Sequence, residues 1–317
     1  MSKSDGEDYD VAIIGGGPAG MSAALWSAEL GIRAVLIEER SELGGQLLYV
    51  HNRIENYPGV SAANGRELRD LFVKSLEGRK FDLRLSSPVT ATDLTAKKLT
   101  LESGEIIHSK SIIIATGVRR RKLNVPGEDE FLGRGILTSG AKEAESVKGK
   151  TVLIVGGGDA ALENALILSK HANHVTIVHR RKSFSARNEF IRRVETNQRI
   201  SVRLISQVTR FSGSNRLEQA EIIKGDTNST SKLDVEAALV RIGVIPISDL
   251  FQDQLVLDSQ GYIPINSACQ TSVEQVYAVG DAARPISQTV ANAVGDGTSA
   301  AKYLAALKVT RDSFADS

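Results

Sequence analysis

One short pattern occurs twice in this chain and constrains its fold more than anything else. Residues 9–14 (YDVAII) read as a short buried strand, and the turn Gly15-Gly16-Gly17-Pro18-Ala19-Gly20 follows directly. A helix-like segment covers residues 21–30, with Gly31 placed as its C-terminal cap, and a second short strand, AVLI, covers 34–37. The same order returns downstream. TVLIV at 151–155 leads into GGGDAA at 156–161, a helix reaching about Lys170, and VTIV at 175–178. Strand, glycine turn, helix and strand form a nucleotide-binding unit. The first glycine permits the tight turn, the second lets backbone approach a pyrophosphate, and the third lets the helix pack closely. The helix N-terminus then offers unpaired N–H groups to phosphate. Two such units in tandem predict an α/β chain with two doubly wound Rossmann-like dinucleotide-binding domains.

The two copies differ where they would read the ribose. Glu38 follows the second strand of the first copy, at the spacing where an acid accepts from adenosine ribose hydroxyls. In the second copy no acid follows; His179-Arg180-Arg181 stands there instead. A guanidinium pair suits a ribose 2′-phosphate, and a solvated charged loop is the other reading. An acid in one copy and arginines in the other predict two ligands, one without the 2′-phosphate (FAD or NAD) and one with it (NADPH). A flavin beside a nicotinamide makes a hydride relay in which the cofactors carry the chemistry.

Composition narrows the partners. The 317 residues are 41% hydrophobic and 24% charged, which suits about two globular domains, and a net charge of +1 implies no polyanionic partner such as nucleic acid. Cys269 is the only cysteine, so no intramolecular disulfide can form. The five histidines show no metal-ligand spacing. Residues 1–10 lack the basic start and apolar run of a signal peptide, and no stretch is apolar enough to span a bilayer; cytoplasmic residence is the expectation. Further elements are a buried strand over 111–117 (SIIIATG) ending at a turn, a basic linker at 119–126, a return linker at 241–246, a last strand at 276–281, and a helix-like run over 289–307.

With these residues in order, the chain resembles the low-molecular-weight thioredoxin reductase family over nearly its whole length. The resemblance rests on IIGGGPAG at 13–20, Gly44-Gly45-Gln46-Leu47, Glu55-Asn56-Tyr57-Pro58-Gly59, Ala115-Thr116-Gly117, the second glycine turn with His179-Arg180-Arg181, Gly280-Asp281, and Gly295-Asp296-Gly297. It implies an FAD domain made of residues 1–118 and 247–317, with an NAD(P)H domain, 119–246, inserted into it, and a homodimer. It places FAD on Gly15, Gly17, Pro18, Ala19, Gly20, Glu38, Glu39, Gly45, Gln46, Leu47, Asn56, Ala115, Thr116, Gly117, Gly280, Asp281, Gln288, Thr289 and Val290. NADPH, with NADH as the weaker candidate, falls on Gly156, Gly158, Asp159, Ala160, Ala161, His179, Arg180, Arg181 and Arg187.

The chain departs from the family where function is decided. The family carries Cys-x-x-Cys-Asp before the second glycine turn; an ungapped match here gives Ser139-Gly140-Ala141-Lys142-Glu143. No dithiol stands there to take electrons from a flavin, and Cys269 reads as a packed thiol. Gln288-Thr289-Val290 replaces the family's Arg-Gln-Ala, and Ser185 replaces a third arginine, with Arg187 close by. The run Arg119-Arg120-Arg121-Lys122 reads as a solvated linker or a dock for an acidic electron carrier. The tail around Phe314 is short and polar, and disorder is expected there. The sequence therefore leads to an FAD-dependent NAD(P)H oxidoreductase without a redox dithiol and with no residue required as acid or base. Its acceptor would be ferredoxin or flavodoxin, a quinone, a ferric chelate or oxygen. The alternatives are an enzyme holding a second flavin in the nucleotide site and a non-catalytic redox-sensing flavoprotein.

Overall fold

The computed structural model describes residues 9–315, and side chains to residue 307. The chain divides into two compact units, Met1–Arg119 with Ile245–Ser317, and Arg120–Val244 inserted between them.

The first unit is built on a seven-stranded sheet. The strands Asp82–Arg84, Ala34–Ile37, Tyr9–Ile14 and Ile106–Ile114 lie side by side and parallel. Alternate residues of Tyr9–Ile14 serve two separate cores. Val11 and Ile13 pack among Ala19, Ala23, Ala24, Ala300 and Leu304 on the helical face. Ala12 and Ile14 pack with Leu99, Leu101, Phe251 and Ile263 on the other. Burial on both faces is why residues 11–14 read as an unbroken apolar run with no polar alternation.

Ile106–Ile114 begins earlier than the sequence suggested, because its two halves have different neighbours. Residues 106–108 pair antiparallel with Lys98–Leu101 and alternate between exposed and buried positions. Residues 112–114 pair parallel with the late strand Val276–Ala278 and are fully buried. Only the second half carries the apolar run that announces a core strand.

The second unit repeats the plan with a five-stranded parallel sheet, in the order Ile136–Leu137, Ala237–Val240, Thr151–Val155, His174–Val178, Ile200–Arg203. Val152 and Ile154 face the helices Asp159–Leu168 and Asn188–Glu195. Leu153 and Val155 face Val208, Phe211, Leu217 and Ile222, contributed chiefly by a three-stranded antiparallel layer (Ser206–Ser212, Gln219–Lys224, Ser229–Asp234).

Two segments differ from expectation. The basic run is not a plain solvated linker. Arg119 forms a two-pronged pair with Asp249, Lys122 pairs with Asp129, and the Arg121 N–H donates to the Gly243 carbonyl at 3.0 Å. The last helix is Val290–Ala315, so the backbone at Phe314 is helical rather than a disordered tail; the Phe314 side chain lies outside the described residues. Among the described residues no helix is long and apolar enough to cross a membrane.

Candidate cofactor sites

Each glycine turn combines a tight corner with an open approach. Gly15 has φ +107°, and a Cβ there would lie 2.5 Å from the Ala115 carbonyl oxygen. Gly156 has φ +145°, and its Cβ would lie 2.0 Å from the Arg241 carbonyl oxygen. Both corners need glycine for conformation and for space. The second glycines differ: a Cβ on Gly17 would meet only the Gly45 Cα, at 3.8 Å, and one on Gly158 only the Ser185 Oγ, at 3.8 Å. Nothing in the protein's own packing demands glycine there, which is what a bare approach reserved for a ligand looks like. Gly17 and Gly158 also cap the helices Pro18–Glu29 and Asp159–Leu168, and no side chain satisfies either first turn. Pro18 presets the helical φ at the first position of its helix.

In the first unit a cavity of about 250 Å³ opens beside this turn. Gly15, Gly17, Pro18 and Ala19 form one wall, and Glu38 and Glu39 close the end of the neighbouring strand. Gly45, Gln46 and Leu47 enter from the 3₁₀ turn Gly45–Tyr49, and Ala115, Thr116 and Gly117 from the strand that pairs with Tyr9–Ile14. Asp281, Gln288, Thr289 and Val290 arrive from the far end of the chain. Three expected residues lie off the lining. Gly20 serves packing, since its Cβ would come 1.8 Å from the Gly15 carbonyl oxygen. Gly280 is a buried turn residue with φ +67°, and Asn56 is exposed on the strand Ile54–Tyr57.

The lining also includes Gly16, Arg40, Val50, Val118, Ile247, Val279 and Ala293, which sequence reasoning missed. Arg40 and Val279 lie one or two residues beyond recognised motifs and were within reach. Ile247 was not, because it comes from the return crossing and carries no motif. A second cavity of about 450 Å³ shares Gly15, Glu38, Glu39, Thr116 and Ile247.

Glu38 is buried, with its carboxylate accepting from the Gly16 N–H at 2.7 Å and the Arg40 N–H at 3.0 Å. Two backbone donors fix the side chain in place, and the lone pairs left over can accept from ribose hydroxyls. Asp281 is pushed up to about 6 by burial and by the nearby Asp296 carboxylate. Asp296 is itself held by Arg284 through two bonds, at 3.1 and 3.0 Å, and by the Gly280 N–H. The Gln46 amide donates to the Val118 carbonyl, and Gln288 donates to the Tyr262 hydroxyl.

The second turn is more polar. His179 is a packing residue. Its ring lies where a Cβ on Gly157 would fall, 2.4 Å away, and its Nε2 is 3.1 Å from the Ser183 carbonyl oxygen. Burial, with a smaller contribution from Arg181 and Arg180, lowers its pKa and favours the neutral ring. Arg180 and Arg181 are exposed at the end of the strand His174–Val178. Arg187 is already engaged, since its backbone N–H and Nε both donate to Asp159, at 2.7 and 2.8 Å. Asp159 itself opens the helix at whose N-terminus a phosphate would sit. Ala160 is exposed and Ala161 is buried against the turn.

At residues 138–143 a tight turn is tied by Glu143, whose Oε2 accepts from the Thr138 N–H, the Thr138 hydroxyl and the Ser139 N–H. Ser139 accepts from the Lys142 N–H, and Lys142 is exposed. Cys269 belongs to the first unit, where it is 1% exposed with Sγ 3.8 Å from the Asp296 carbonyl. Burial and the Asp296 charge push its thiol up to about 11, so the nucleophilic thiolate is disfavoured.

Two Rossmann-like folds in one chain, the second inserted in the first and each with an open glycine turn, define a class of doubly wound α/β proteins. Comparison with known proteins narrows the class. The model of the pyridine nucleotide-disulphide oxidoreductase family matches residues 9–297, and the chain belongs to that family. It is 32% identical to a thioredoxin reductase of Mycolicibacterium smegmatis over 92% of this chain and 94% of that one. It is 33% identical to a thioredoxin reductase of Treponema pallidum, covering 93% of this chain and 95% of that one. The crystal structure of Lactococcus lactis thioredoxin reductase, in a state named the FR conformation, aligns with a TM-score of 0.84 at 31% identity, covering 94% of this chain and 98% of that one.

Proposed function

We propose that this chain is an FAD-dependent NAD(P)H oxidoreductase that works without a redox dithiol and delivers electrons to an acceptor outside the chain. The observation that carries the reading is the first unit's cavity, which gathers the open glycine turn, the bonded Glu38 carboxylate and Asp281 around one space. Its residues fit an adenine dinucleotide. Gly17 leaves the pyrophosphate approach bare, and the uncapped helix start supplies N–H donors. Glu38 is preset to accept from a ribose, and Asp281 is placed to bond a polyhydroxy chain. When bound there, FAD would supply hydride uptake from a nicotinamide and onward electron transfer.

The second unit takes the nicotinamide nucleotide in this reading. Gly158 gives the approach, and Arg180 and Arg181 grip the 2′-phosphate of NADPH. Arg187 steadies Asp159 rather than the ligand. Ser139 and Lys142 stand in place of the family's cysteines, and neither can form a disulfide. The acceptor is therefore a diffusible oxidant or a small redox protein that takes electrons without thiol exchange. By the same family reading the chain acts as a homodimer, which its mass in solution tests.

The deciding experiment is anaerobic mixing of the purified yellow protein with NADPH and with NADH, followed by an acceptor screen. Flavin bleaching faster with NADPH, then reoxidation by ferricyanide or a quinone, is the expected result. Slow bleaching by both nucleotides would move the chain to a non-catalytic role. A flavin-to-protein ratio near two would place a second flavin in the nucleotide site.

A further inference from the structure

Arg241 has no place in the scheme above, yet it occupies the position where a doubly wound sheet binds its ligand. It directly follows the strand Ala237–Val240, which lies next to Thr151–Val155 in the second unit's sheet. From Thr151–Val155 the chain runs through the glycine turn and helix to His174–Val178 on the opposite side. The carboxyl ends of these two neighbouring strands, at residues 155–156 and 240–241, thus mark the topological switch point, beyond which open α/β sheets take their ligands. The Arg241 N–H donates to the Val155 carbonyl at 2.7 Å, and its own carbonyl is the group that forbids a side chain on Gly156.

The side chain is 8% exposed, so it is more than nine-tenths buried. A guanidinium so placed is ordinarily paired with a carboxylate. Here it donates only to the Val240 and Thr138 carbonyls, at 2.8 and 2.9 Å, and no carboxylate among the described residues lies within ion-pairing distance. Glu143, the acid whose charge acts on it, spends one oxygen on the 138–139 turn. Arg120 adds a second positive charge to the same region and has no bonded partner of its own among the described residues. Burial and this like charge together bring Arg241 down to about 10, a sign that the cluster lacks an anion. The turn also has a reason to need one. The first helix has no acid in its opening turn, whereas the second begins with Asp159, whose charge opposes a diphosphate at that N-terminus.

We propose that Arg241 and Arg120 form an anion site beside the second glycine turn that holds the diphosphate of a bound dinucleotide. The proposal rests on the reading that the second unit takes a pyridine dinucleotide. It separates two tasks on that ligand. The Arg241–Arg120 pair neutralises the diphosphate common to NADPH and NADH, and Arg180 and Arg181 discriminate the 2′-phosphate. The pair also offsets Asp159, which Arg187 already half-neutralises.

The test is titration calorimetry of the purified holoprotein with NADPH, NADH and inorganic pyrophosphate. It compares wild type with Arg241→Gln, Arg241→Lys and Arg120→Gln, each checked by thermal melting. Each glutamine variant is expected to weaken NADPH and NADH by the same factor, roughly tenfold or more for a lost charge-assisted contact, and to abolish pyrophosphate binding. Arg241→Lys should fall between. Arg120 is exposed, so Arg120→Gln keeps the test open even where Arg241→Gln fails to fold. Wild-type affinity for both nucleotides in a folded Arg120→Gln and Arg241→Gln would overturn the anion site. A loss confined to NADPH would overturn it too, by assigning the pair to the 2′-phosphate. Wild type that binds neither nucleotide, yet binds pyrophosphate in an Arg120-dependent way, would sink the nucleotide reading and leave the anion site standing.

Discussion

Gly17 and Gly20 are three residues apart in one turn, yet the structure assigns them opposite reasons for being glycine. A side chain on Gly17 would enter the cleft, and one on Gly20 would collide with the Gly15 carbonyl. Gly17→Val should therefore give a folded protein without bound flavin, whose apoprotein melts within a few degrees of the wild-type apoprotein; the loss of a favoured cap residue accounts for about 1 kcal/mol at most. Gly20→Ala should destabilise the fold itself by about 1–3 kcal/mol or more. Flavin absorbance per protein and melting of the apo forms separate the two. Asp281 gives a pH signature. Its carboxyl titrates near 4 when unfolded and about 6 when folded, so the folded state binds the extra proton. Its contribution is full below pH 4 and is lost as pH rises through 6, by about 2–3 kcal/mol at most. Apoprotein carrying Asp281→Asn should lack that decline. An unchanged slope between pH 4 and 6 would show that Asp281 does not carry it.

At the scale of elements, the helices Pro18–Glu29 and Val290–Ala315 cross at Gly297. A Cβ there would fall 2.2 Å from the Ala19 carbonyl oxygen, and Ser22 donates to the Val294 carbonyl at 2.7 Å beside the crossing. Val290 and Ala293, on the same late helix, line the cavity. Gly297→Val should prise the helices apart, costing about 1–3 kcal/mol and lowering flavin retention together; a variant that melts lower but keeps its flavin would uncouple the two. In the other unit, replacing Arg180 and Arg181 by glutamine should weaken NADPH by about 2–4 kcal/mol and leave NADH nearly unchanged. The central strands were legible because burial on both faces strips them of polar residues. The antiparallel strands were not: Ser229–Asp234 is exposed at five of its six positions and carries no apolar signal. The expected helix start at Met21 was late, because Pro18 reads as a breaker when it is in fact the first helical residue. Arg241 went unnoticed because it was read as the first residue of the return linker, and nothing about one arginine there reveals that it stands at a switch point.

For the whole molecule, the single cysteine sets the sharpest expectation. A thiol-exchange reductase needs two sulfurs within reach, and Cys269 is alone and buried. Purified protein with NADPH should not reduce thioredoxin, and Cys269→Ser should leave flavin turnover with ferricyanide or quinone unchanged. Thioredoxin turnover that vanished in Cys269→Ser would refute the dithiol-free reading. The placement of the inserted unit also has a consequence for how the chain is made. Arg120–Val244 is contiguous and can fold as soon as it clears the ribosome. The first unit cannot. Its strand Tyr9–Ile14 waits for Ile106–Ile114, and Ile106–Ile114 and Pro18–Glu29 in turn lack Val276–Ala278 and Val290–Ala315 until those residues are translated. The glycine turn at residues 15–20 thus becomes a complete site only after residues 281–293 have been made, and flavin capture should wait for them.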